Sequence, residues 1–159
     1  MRQIIKVNSG FTLNTHDTFD ASIDATKNVR EKMKSKCSII NGKVVTDYHF
    51  NGHELVISYE NKHYLSVSPG ESLIKWDVVS SKPDVNNLNK KDIVFELSNG
   101  HQFDWNCEKV LDGFMGKKMS VSPSDQLLFI FSEDRIEYMF DYYIDINDSN
   151  KKYLTISEA

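Results

Sequence analysis

The chain has 159 residues, of which 40% are hydrophobic, 11% aromatic and 26% charged. That mixture suits a single domain over 1–159 and excludes a disordered tail, a collagen-like chain or a coiled coil. With 19 basic against 23 acidic side chains the formal charge is −4, which disfavours a nucleic-acid backbone or an anionic membrane as partner and leaves a basic one open. No apolar run approaches the roughly 20 residues that cross a bilayer. Met1 to Lys6 runs into Asn8, Ser9 and Gly10 before a secretory core can form, so a cytoplasmic location is the expectation. Cys37 and Cys107, far apart and without a CxxC spacing, fit free thiols in a reducing compartment.

In chain order, Gln3 to Val7 reads as a short strand, and Asp17, Thr18 and Asp20 supply the residues expected where a helix begins. The helix is predicted over 17–35, since Phe19, Ile23, Thr26, Val29 and Met33 recur at three- and four-residue steps. From Ile39 the period changes to two, with hairpin markers at Asn41-Gly42, Asn51-Gly52 and Asn99-Gly100. A two-residue loop at Asn51-Gly52 would oppose Phe50 to His53, Tyr48 to Leu55, Thr46 to Ile57 and Val44 to Tyr59. The next hairpin pairs Ile57 with Leu65 and Leu55 with Val67, and a fourth strand covers Leu73 to Val79. Residues 80–91 are polar and read as a loop.

The second half repeats the device. A loop at Ser98-Asn99-Gly100 aligns Phe95 with Phe103 and Ile93 with Trp105, and a short helix near 106–115 carries Cys107, Val110, Leu111 and Phe114 at helical spacing. Leu127, Phe129 and Phe131 then oppose Phe140, Tyr138 and Ile136 on one face, and Lys152 to Ser157 forms a last strand. Leu65 to Pro69 recurs as Met119 to Pro123, from reuse of a hairpin pattern or from an internal duplication. The fold class expected is α+β: a mainly antiparallel sheet, twisted or partly closed, with a long N-terminal helix and one short helix.

No constellation for chemistry emerges. Hairpin alternation points His49 and His53 to opposite faces, and His63 lies roughly 20 Å along the strand from His53, so no metal is expected. Ser66, Ser68, Ser120 and Ser122 lack a nucleophile elbow or a Ser-x-x-Lys spacing. Cys107 lies on the apolar stripe of its helix. No cofactor fingerprint is present. One row stands out. With Ile136, Tyr138, Phe140, Tyr142, Ile144 and Ile146 facing inward, Glu137, Met139, Asp141, Tyr143 and Asp145 should face outward. Carboxylates beside tyrosines suit an interface with a basic protein, which makes Glu137, Asp141, Tyr143 and Asp145 the candidate partner-binding residues, against the plainer reading of a solvated sheet face.

The segments Phe50-Asn51-Gly52-His53-Glu54-Leu55-Val56-Ile57, Ile74-Lys75-Trp76, Phe114-Met115-Gly116-Lys117-Lys118 and Leu127-Leu128-Phe129-Ile130, set in a compact acidic chain, resemble small bacterial immunity proteins of contact-dependent or polymorphic toxin systems. The resemblance is one of overall style and rests on no diagnostic motif. It implies a cytosolic protein that binds a cognate toxin domain, often a nuclease, and blocks it without catalysis. The alternative is a small-molecule-binding β-rich domain or an enzyme, with Trp76, Trp105 and Tyr64 lining a pocket.

Overall fold

A computed structural model of the chain describes residues 5–7, 23–71, 73–84, 107–124, 127–145, 147, 148 and 150–158. The Ser98–Gly100 hairpin, the helix residues expected over 17–22, Trp105 and Ile146 fall outside them. The elements in chain order are β1 (Ile5–Val7), α1 (Ile23–Ile40), β2 (Val45–Phe50), β3 (Leu55–Tyr59), β4 (Tyr64–Pro69), β5 (Ile74–Val79), α2 (Cys107–Asp112), β6 (Met119–Ser124), β7 (Leu127–Ser132), β8 (Glu137–Ile144) and β9 (Lys152–Glu158). The fold is α+β, as expected, but the strands form two antiparallel sheets. One is the meander β2-β3-β4-β5, and the other runs β6-β7-β8-β9, with β1 paired to β8 beside β7.

Both sheets and both helices enclose one core. In α1 the stripe Val29, Met33, Cys37 and Ile40 is buried and turns toward β5 and β6, closing the seam between those two edge strands. On the other side Leu111 of α2 and Phe114, two residues past its end, lie in the core. The Tyr48 hydroxyl of β2 donates to Asp112 Oδ1 at 2.5 Å, and Phe114 meets Tyr138 of β8 edge-on at 5.2 Å. Fully burying a side chain such as Leu111 contributes about 1.5–3 kcal/mol.

Strand β2 joins the sheets at both of its ends. At its start the Val45 N–H donates to the Lys117 carbonyl at 2.8 Å, and the Val45 carbonyl accepts from Gly116 N–H at 2.9 Å. Past its end the Gly52 carbonyl accepts from Leu154 N–H of β9 at 2.8 Å. His53 Nδ1 lies 2.5 Å from the Lys152 carbonyl, and Phe50 contacts Tyr153 edge-on at 6.1 Å. Because β6 and β9 are opposite edges of their sheet, β2 crosses the whole width of it.

Three local expectations change. Asn41-Gly42 is a helix end and not a hairpin: Gly42 has φ 78°, Asn41 Oδ1 accepts the Val121 N–H at 2.9 Å, and Gly42 N–H donates to Ser120 Oγ at 3.0 Å. The cap of α1 thus satisfies the free edge of β6. The β2–β3 connection is four residues long, with Asn51 Oδ1 accepting from His53 and Glu54 N–H at 2.9 Å each, so Phe50 opposes Leu55 and Tyr48 opposes Ile57. This two-residue slip preserves the face of each side chain. A bulge between Val45 and Asp47 then places Val45, in place of Val44, opposite Tyr59. The β3–β4 register is the expected one.

Between β7 and β8 the register differs by one. Ile130 opposes Tyr138 and Phe129 opposes Met139, so Leu128 and Ile130 are buried in the core whereas Phe129 and Phe131 are half-buried on the opposite face. Ile136, expected inside, is 39% exposed. A one-residue slip exchanges the faces of a strand. The repeated Leu65–Pro69 and Met119–Pro123 segments lie in different sheets, β4 and β6, and both turn their apolar residues inward.

Truncating Ile130 to Ala should cost about 2–5 kcal/mol in urea unfolding, and Phe131→Ala clearly less, because only the first opens a core cavity. Gly42→Ala should cost about 1–2 kcal/mol by the same measurement, since the added Cβ meets nothing within 4 Å and the penalty is the left-handed backbone alone. Burial pushes the Cys37 thiol from 9.0 to about 12. The unfolded thiol ionises above pH 9 while the folded one stays neutral, so this contribution to stability is complete below pH 9 and is lost between pH 9 and 12. Urea midpoints across that range should fall for the parent and fall less for Cys37→Ala.

Candidate interaction surface

The expected outward row on β8 does not reach solvent as a row. Glu137 is exposed and Tyr143 half-buried, but Asp141 is 1% and Asp145 4% exposed. Alternation holds for the backbone: Asp141 opposes Thr155 on the face turned away from the shared core, and Thr155 is equally buried. The error lies in equating the outer face with solvent. Asp141 Oδ1 accepts the Tyr142 N–H at 2.8 Å. Asp145 Oδ1 accepts the Asn147 N–H at 2.8 Å, and its main chain closes the β8–β9 connection through Lys151 and Asp148. Both carboxylates organise this part of the fold.

Exposed carboxylates gather instead where the end of α2 meets the β7–β8 turn. The turn is closed by Arg135 N–H to the Ser132 carbonyl at 3.0 Å and Ser132 N–H to the Ile136 carbonyl at 3.1 Å, with Arg135 at φ 64°. All of Glu133, Asp134, Arg135, Ile136 and Glu137 are exposed. Lys118 Nζ lies 3.4 Å from Glu133 Oε1, which together with the Phe114–Tyr138 contact ties the turn to the α2 end. Ile136 and Met115 are 39% and 38% exposed, and Asp112, Glu133, Asp134, Glu137 and Glu158 lie on the same end. Among these exposed side chains the one ion pair between the two segments is that of Lys118 with Glu133. Beside them, burial and the Asp112 hydrogen bond hold the Tyr48 hydroxyl above its ordinary range. It stays a donor at neutral pH.

The sequence marked Glu137 but missed its neighbours in the turn. The signal available was the run Glu133-Asp134-Arg135 at a hairpin end, which reads equally as an ordinary polar turn. The other candidates are dispersed. His49 Nε2 stands 3.4 Å from Asp47 Oδ2, His53 is engaged by Lys152, and His63 Nδ1 lies 3.0 Å from the Asn61 carbonyl. Among the described residues no group of three or more His, Cys, Asp or Glu is placed to hold a metal ion, and no helix is long and apolar enough to cross a membrane. Trp76, a candidate pocket residue, sits in the hydrophobic core opposite Val67, and Tyr64 is half-buried on β4.

Asp141→Lys should destabilise the protein by about 3 kcal/mol or more in urea unfolding, because it buries a cation in place of a hydrogen-bonded carboxylate. Glu137→Lys should leave the midpoint within about 0.5 kcal/mol of the parent. Equal midpoints for the two variants would contradict this placement.

Compared with protein-family models, with curated proteins and with solved structures, the chain matches none.

Proposed function

We propose that this chain is an immunity-type inhibitor, a cytosolic protein that binds a cognate basic toxin domain and neutralises it by occupying its surface, without chemistry of its own. One observation carries the reading: in the β7–β8 turn Ile136 is exposed between the exposed carboxylates of Glu133, Asp134 and Glu137, and Lys118, three residues past exposed Met115, pairs with Glu133. Apolar side chains supply the desolvated anchor of a protein interface, and a rim of one charge selects a partner of the other and accelerates encounter. The formal charge of −4 acts in the same direction. Of the four residues first singled out along and just past β8, Glu137 belongs to this surface. Tyr143 lies on the outer face of the sheet, and Asp141 and Asp145 are buried.

The test is binding and protection against the C-terminal domain of a secreted toxin encoded directly upstream. Association should slow as salt rises, and a Glu133→Lys/Glu137→Lys variant should slow it further at low salt. Ile136→Asp should act mainly on dissociation, weakening binding by about 2 kcal/mol if Ile136 is a central anchor. A folded triple variant that binds and protects like the parent would place the interface elsewhere, and an upstream domain that the parent does not bind would remove the immunity reading.

A further inference from the structure

We draw no further inference here: the strongest candidate, the buried Asp141–Thr155 pair and the half-buried Phe129, Phe131, Met139 and Tyr143 on the face of the β6–β9 sheet turned away from the core, carries nothing because nothing among the described residues shows what covers it.

Discussion

A pair of main-chain hydrogen bonds at Val45 governs the architecture. Two small sheets packed together leave open edges, and each edge strand has N–H and C=O groups that must find partners. The bulge between Val45 and Asp47 lets Val45 oppose Tyr59 in one sheet and bond Lys117 and Gly116, just before the other sheet begins. Val45 is at the same time buried in the core. One residue thus joins the sheets at the start of β2, and the contacts at Gly52 and His53 join them again past its end.

The helices fill what this geometry leaves open. α1 occupies the β5–β6 side through an apolar stripe, and α2 lies beside β9, with Leu111 in the core and Phe114 past its end against Tyr138 of β8. Their polar ends are also used. Asn41 and Gly42 at the end of α1 satisfy the β6 edge, and Asp112 at the end of α2 accepts from Tyr48. Lys152 works in the same way from β9, donating to the Gly70 carbonyl at 2.5 Å while its ammonium stands 5.5 Å from the Tyr142 ring centroid.

The acidic surface is a by-product of the same packing. Residues 133–137 are exposed because the β7–β8 turn projects past the end of the sheet, where Ile136 can no longer reach the core that Tyr138 and Phe140 enter. Exposure at that end depends on where the strand pairing stops, and the pairing is set by the one-residue register between β7 and β8. The carboxylates of Asp141 and Asp145, on the same strand, are drawn into main-chain hydrogen bonds instead.

What the sequence determined by itself was the class of fold and most of its elements. The apolar spacing of Ile23, Thr26, Val29 and Met33 marked the helix, though its continuation through Cys37 to Ile40 reads as the start of a strand, and the alternation through Leu55, Ile57, Leu65 and Val67 gave the β3–β4 strands and their register. Where the pattern is degenerate, tertiary structure decided. Leu127 to Phe131 is apolar at every position, so alternation could not choose a face, and the choice came from the partner strand and the turn. Asn41-Gly42 fits a hairpin or a helix cap equally well, and the length of α1 selected the cap. Asp141 was assigned to the correct side of β8 and Asp145 lies past its end, but whether a sheet face meets solvent depends on what packs against it, and period-two spacing along one strand contains no information about that.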